Sequence, residues 1–316
     1  MAHAYVLVEH TAGELLPVTS ELIAAARNLG VVNAVVVGTT EQTESLQGKL
    51  GDLGAENVIL AQTADADARL ILPQVDALIL AASAEPGPIV IAAGASGNEI
   101  AGRAAARLAS GVLCDVVGLN ADRTARQSIF GDSIEVAAAV GGACPVYTIR
   151  PGAIAAEAVT AAGTVTRTFE LPAASVKDVS VDNFTPAEVS ARPPLATAKI
   201  VVCAGRGVGS AEAMQELVEP LADALGAAVG VTRDIVDLGW YPPQYQVGQT
   251  GVTVSPDLYI GLGISGAIQH TAGMQTAKRI VVVNNDEDAA FFQIADLGIV
   301  GDVSTVVPEL IAKLNS

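Results

Sequence analysis

Aromatic residues make up only 3% of this 316-residue chain, which has three cysteines, three histidines and one tryptophan. Cys114, Cys144 and Cys203 are too few and too scattered for a disulfide framework, a zinc site or a cysteine-held iron–sulfur cluster. Each lies among apolar residues, as thiols do in a reducing cytosol. Basic residues are also scarce: 17 against 34 acidic ones give a net charge of −17. Such a surface repels phosphate backbones, so nucleic acid is not an expected partner. No apolar run approaches the ~18 residues that a bilayer-crossing helix needs, and the chain is not expected to be membrane-embedded. The first residues, Met-Ala-His-Ala-Tyr, lead straight into a strand without a basic and apolar leader, so a cytoplasmic location is expected. A Gly-Lys-Ser/Thr phosphate loop, a nucleophile elbow, a paired metal-ligand helix and an EF-hand are all missing.

What the chain does have is apolar content, 51% of its residues, delivered in short bursts: AYVLVEH, AVVVG, NVILA, ALILAAS, KIVVCAG and RIVVVNN. Bursts of this length, separated by alanine-rich stretches with scattered charges, are what the buried strands of a parallel sheet look like. The expected architecture is α/β. Strands are expected at Tyr5–His10, Ala34–Gly38, Val58–Ala61 and Ala77–Ala81. The first helix should start near Thr19 or Ser20 and stop at Gly30. After Gly111 the runs GVLCDVVGL, RQSIFG, IEVAAAV and PVYTIR look like strands joined by turns. A polar stretch with Pro172, Pro186, Pro193 and Pro194 reads as a linker over about 172–197. From Lys199 the alternation resumes with strand KIVVCAG, a helix over Ser210–Leu225 and a short strand at Ala227–Val231. Strands LYIGLG, RIVVVNN and LGIVG follow, each leading into a helix. Two domains result, 1–190 and 198–316.

Three places offer chemistry. GRGVGS, Gly205–Ser210, lies between a strand and a helix, where glycines let the backbone approach a diphosphate at a helix N-terminus. Its third fingerprint position is Ser210, and a tight turn without a ligand explains it about equally well. The loop WYPPQYQVGQTG, Trp240–Gly251, gathers Gln244, Gln246, Gln249 and Thr250 just beyond Arg233. Uncharged amides and hydroxyls suit the edge of a heterocycle, although any one of them would also suit solvent. His270 stands in ISGAIQHTAG just past a strand end, a place where α/β sheets bind ligands and where structural histidines also occur.

Leu258–Asn284, LYIGLGISGAIQHTAGMQTAKRIVVVN, resembles the signature of the electron-transfer flavoprotein alpha subunit. It departs at Gly261 and Val282, both small apolar changes on strands, while GRGVGS, VTRD, QVGQTG and FQIADLG match the same family in order. Thr232 replaces the common Ser and keeps a hydroxyl. The resemblance spans essentially the whole chain and is weaker in its first half. It implies a Rossmann-like N-terminal domain for subunit contact and a flavodoxin-like, doubly wound C-terminal domain that binds FAD. A beta subunit, carrying AMP, would complete a heterodimer. Acyl-CoA dehydrogenases would donate electrons and a membrane quinone oxidoreductase would receive them, so the protein would be a carrier in fatty acid β-oxidation and not an enzyme.

Carried over by motif, Arg206, Ser210, Ser265, Gly266 and Gln269 would serve the pyrophosphate, and Asn284 and Asp296 the adenosine end. Arg233, Gln249, Thr250 and His270 would surround the isoalloxazine ring, His270 donating to its O2 and Thr250 bonding at N5. Thr232, Gln246, Val247, Gly248, Gly263, Ile264 and Ala267 complete the expected cofactor-binding set. A guanidinium at ~4 Å attracts a reduced ring by about 4 kcal/mol if the effective dielectric is near 20. That would raise the potential by on the order of 100 mV or more and favour the half-reduced ring. Other readings are the alpha subunit of an electron-bifurcating variant, an NAD-dependent Rossmann dehydrogenase and a nucleotide-sensing module.

Overall fold

The computed structural model describes residues 2–11, 13–130, 134–156, 159, 164–183 and 191–315. Two compact units divide the chain: Met1–Ser128 with Glu135–Pro186, and Ile129–Ile134 with Ala187–Ser316. The short Ile129–Ile134 segment thus falls with the second unit, where sequence rhythm placed it in the first.

The first sheet has nine strands among the described residues. In spatial order they are Val165–Glu170, Asn57–Gln62, Val31–Gly38, His3–Leu7, Ile89–Ala92, Val146–Ile149, Val112–Leu119, Ala125–Ile129 and Ile134–Ala138. The first seven pair in parallel, and Ala125–Ile129 then returns antiparallel to Val112–Leu119. Successive residues of a strand point to opposite faces, which splits the core in two. Val6, Val36, Val58 and Val90 pack beneath the helices Val18–Arg27 and Thr40–Asp52. Tyr5, Leu7, Val35, Ile59 and Ile91 pack beneath Leu72–Ala84 and Ala95–Arg107.

Ala77–Ala81 is therefore helix, not strand, and the strand it was mistaken for is Ile89–Ala92. The run is apolar on every face, so its periodicity does not separate a buried helix from a buried strand. Val75, Leu78 and Ala82, spaced at three and four, are fully buried against the sheet. The first helix begins at Val18, capped by Pro17 with no side-chain hydrogen bond, so neither Thr19 nor Ser20 caps it. The expected linker is irregular over 172–183, with a turn at 176–177, and buried Arg69 donates to Asp178 at 2.6 Å and to the Pro172 carbonyl at 2.9 Å. Residues 184–190 of that linker lie outside the described residues.

The second sheet runs Ala228–Val231, Ile200–Ala204, Leu258–Leu262, Ile280–Asn284 and Leu297–Val300, all parallel. In chain order this is 2-1-3-4-5, the doubly wound arrangement of the flavodoxin type. Val202, Ala204, Val229, Ile260, Leu262 and Val283 pack on one face beneath Val303–Leu314 and the helical run from Ala211 to Leu225. That run has a π turn over Met214–Val218 just ahead of Pro220, whose ring and missing N–H disfavour regular α geometry there.

The other face holds Val201, Cys203, Ala228, Tyr259 and Val282, and is covered largely by irregular chain carrying Val247, Val254, Ile264, Met274 and Phe291. Helices were expected after LYIGLG and after RIVVVNN; a short Ile268–Thr271 helix and a 3₁₀ turn at Ala290–Ile294 form there. Glycines and prolines in these connections stop longer helices, and their backbone polar groups are left for other partners.

Candidate functional site

Parallel strands place all their C-terminal ends along one edge, and the chain order reverses between Ile200–Ala204 and Leu258–Leu262. The crevice outside such a reversal is where open α/β sheets take ligands. A cavity of about 520 Å³ lies there, within the ordinary range for small-molecule sites. It is lined by segments that follow four different strands: Gly205–Gly207, Thr232–Asp234, Gly263–Ser265 with Ala267, Gln269 and His270, and Asn284 with Asp286. The Gln246–Thr250 loop closes a further side. Thr232, Val247, Ile264, His270 and Asn284 form a buried floor, while Arg206, Arg233, Gln249, Thr250, Ser265 and Gln269 stand exposed around it.

The glycines of GRGVGS let two strand-end loops meet. Gly205 donates its N–H to the Leu262 carbonyl at 2.8 Å, and Gly207 donates to Gly263 at 2.9 Å, zipping two strand-end loops together. Gly263 has φ +60, and a Cβ there would stand 2.5 Å from the Gly207 carbonyl carbon. The close approach made at Gly207 is to another backbone, and both Gly205 and Gly207 line the cavity. Ser210 caps the following helix, accepting from the Ala213 N–H at 3.3 Å, and does not line the cavity. Gly266 also lies outside the lining: with φ +88, its absent side chain leaves room for the backbone of Phe291.

From Ile264 to Gln269 no backbone N–H has a hydrogen-bond partner among the described residues. Successive unpaired N–H groups make an anion-binding concavity, with the exposed Arg206 on the same cavity. Thr232 Oγ1 is buried in the floor without a partner. Such an atom costs about 1–3 kcal/mol unless a bound group satisfies it. Asn284 donates to the Ile264 carbonyl at 2.9 Å and accepts from the Asp286 N–H at 3.1 Å, bracing the loop it faces. Gln246 Nε2 donates to Thr250 Oγ1 at 3.0 Å, which leaves the Thr250 hydroxyl hydrogen free to donate. Arg233 pairs with Asp237 at 3.3 Å and its side chain is 71% exposed.

His270 is 6% exposed, and both ring nitrogens are engaged, Nε2 with the Tyr259 hydroxyl at 2.8 Å and Nδ1 with the Val247 carbonyl at 3.1 Å. In this arrangement neither is spare for the expected donation to a flavin oxygen. Burial holds its pKa down to about 4. Asp296 is absent from the cavity. Its carboxylate accepts from the Ile280 N–H at 2.8 Å and pairs with Arg279 at 3.1 Å, at the end of the Ile280–Asn284 strand opposite to Asn284. The backbone hydrogen bond is the main reason that its pKa is lowered.

Asp234 and Asp286 line the cavity although sequence reasoning left them out. Each follows a strand end, so the position rule for parallel sheets was a signal that pointed to them.

Together, the fold and the crevice define an α/β protein with a cofactor site for an extended, anionic, heterocyclic ligand. Comparison makes this specific. Residues 4–174 match the model of the electron transfer flavoprotein domain, and 194–275 that of the electron transfer flavoprotein FAD-binding domain. Proteins named electron transfer flavoprotein subunit alpha from Mycobacterium leprae and Mycobacterium tuberculosis are 50% and 51% identical, each aligning over 98% of this chain and 97% of its own length. The protein of that name from Paracoccus denitrificans is 40% identical, with 94% of both chains covered. The chain belongs to the electron transfer flavoprotein family as an alpha subunit, and its cofactor is FAD. The unpaired N–H groups, the orphaned Thr232 hydroxyl and the two arginines fit that molecule.

Proposed function

We propose that this chain carries electrons one at a time, with FAD along the crevice of its second unit and a beta subunit closing over the open side. The observation that carries the reading is that two kinds of chemistry share one cavity. The unpaired N–H groups of 264–269 and Arg206 suit a diphosphate. Arg233, Gln249 and Thr250 suit a ring that becomes negative.

FAD, when bound, supplies a ring system that accepts electrons singly or in pairs. The chain's own residues do the rest. The 264–269 backbone and Arg206 bind the anionic link and fix its position. Thr250 donates its free hydroxyl hydrogen, and Gln249 offers an amide that bonds a ring edge in either protonation state. Arg233 brings a guanidinium to the ring and makes its reduction easier. The buried floor excludes water beneath, while the exposed rim leaves a face for a partner to cover.

The wider reading follows from the family. Acyl-CoA dehydrogenases of the flavin type deliver electrons, and a membrane quinone oxidoreductase collects them from the heterodimer. Among the described residues no helix is long and apolar enough to cross a membrane. Co-expression with a beta subunit tests the proposal. The purified complex should be yellow, hold one FAD, and take up electrons in two resolved steps during reductive titration. A colourless protein, or one that takes up NAD in the same crevice, would exclude it.

A further inference from the structure

We propose that Tyr259 is a positioning residue for the cofactor site: its hydroxyl holds the His270 imidazole in the Nδ1–H form, so that the ring walling the cavity is neutral. The assignment rests on the FAD reading above for its consequence, and on hydrogen-bond geometry and burial for its substance. The Val247 carbonyl can only accept, so the 3.1 Å bond to Nδ1 requires the ring hydrogen to be there. Burial keeps the ring uncharged, so Nε2 is a bare acceptor and the Tyr259 hydroxyl at 2.8 Å is its donor.

The supporting structure is rigid. Tyr259 is fully buried on the Leu258–Leu262 strand, and Phe291 meets both rings edge-on, at 6.2 Å from Tyr259 and 5.9 Å from His270. Behind the tyrosine lies the buried thiol of Cys203. The donors thus run one way, from Tyr259 to His270 to the Val247 carbonyl. Reversing them would leave the carbonyl unpaired.

The groups that face His270 do not supply a charge to change this. Tyr259 and Cys203 are both held neutral by burial, the thiol pushed up to about 12. Across the cavity stand Arg206, Arg233, Asp234 and Asp286, none of which pairs with His270 among the described residues. An electron arriving in the cavity is therefore not matched by a proton at His270. The lasting positive charge beside the ring is that of Arg233.

Three histidines make the test simple. The full chain with its beta subunit is labelled with nitrogen-15 histidine, and His3→Gln and His10→Gln assign the ring signals. The wild-type His270 should show the Nδ1–H pattern with a bare Nε2, and should not titrate from about pH 8 down to about pH 5, where free histidines do. In Tyr259→Phe the ring should show a share of the Nε2–H form or titrate within that range. A wild-type Nε2–H ring, or a Tyr259→Phe ring that matches wild type, overturns the proposal. Should that variant not fold, the wild type still decides: a slowly exchanging Tyr259 hydroxyl proton coupled to Nε2 is required, and its absence overturns the assignment. Flavin absorbance of the same samples reports on the FAD reading separately, because a colourless protein with an Nδ1–H His270 keeps the positioning role and loses the carrier.

Discussion

At the scale of single residues, two cavity groups act through charge, and their magnitudes differ because their surroundings do. Arg233 is 71% exposed, so water screens it until a partner covers the rim. At ~4 Å its attraction for a negative ring is about 1 kcal/mol in water and about 4 kcal/mol at an effective dielectric near 20. Arg233→Ala should accordingly leave the fold intact and lower the first-electron potential by roughly 40 mV to more than 100 mV. Stepwise titration against a reference dye measures this, and unchanged potentials would remove Arg233 from the ring. His270 acts in the opposite way, by refusing charge. Its folded pKa near 4 lies below the 6.5 of an unperturbed histidine. Between those values the unfolded chain binds a proton that the folded one does not, so stability falls as pH drops through that window and is fully kept above it. The loss is on the order of 3 kcal/mol across the window. Urea unfolding at about pH 6.5 and about pH 4.5 should show a steeper decline for wild type than for His270→Gln. Equal declines would mean that the imidazole is solvated.

At the scale of elements, the crevice depends on two strand-end loops that touch through glycines. Gly263→Ala must force a left-handed residue and drive a Cβ into the Gly207 backbone at 2.5 Å. A cost of about 1–3 kcal/mol for the conformation alone, plus the displaced loop, should lower the melting temperature and release FAD together. Calorimetry and flavin absorbance read both, and FAD retained at full stoichiometry would separate the loop contact from the site. These loops also show what was legible in the sequence. The strands of the second sheet were readable because KIVVCAG, LYIGLG and RIVVVNN are short, apolar and bounded by glycine or polar residues. Most of the expected cofactor set lines one cavity, because such residues follow strand ends in a parallel sheet. Other features were not readable. ALILAAS carries no period that tells helix from strand, and lies in the Leu72–Ala84 helix. Asp296 precedes a strand where Asn284 ends one, and the resemblance gave both the same role. That His270 has no spare nitrogen depends on Tyr259 and Val247, eleven and twenty-three positions away. Sequence spacing does not contain that contact.

At the scale of the whole molecule, the two units have separate cores, and every residue that lines the cavity lies between Gly205 and Asp286. The second unit buries Val202, Leu221, Val229, Leu262 and Phe291 without help from the first sheet. Burying one such side chain is worth about 1.5–3 kcal/mol, and a piece of this size is within the ordinary range for an independent domain. Residues 191–316 expressed alone should therefore fold cooperatively and take up FAD, while residues 1–183 should fold and stay colourless. The isolated piece lacks the Ile129–Ile134 segment grouped with its unit and any partner over its rim, so weaker FAD retention is expected than in the heterodimer. Circular dichroism, thermal melts and flavin absorbance on both pieces decide the matter. If 191–316 folds but never holds FAD, the crevice alone is not the binding site and the beta subunit contributes essential contacts. If instead FAD follows 1–183, the cavity at the 2-1-3-4-5 sheet has been given the wrong ligand.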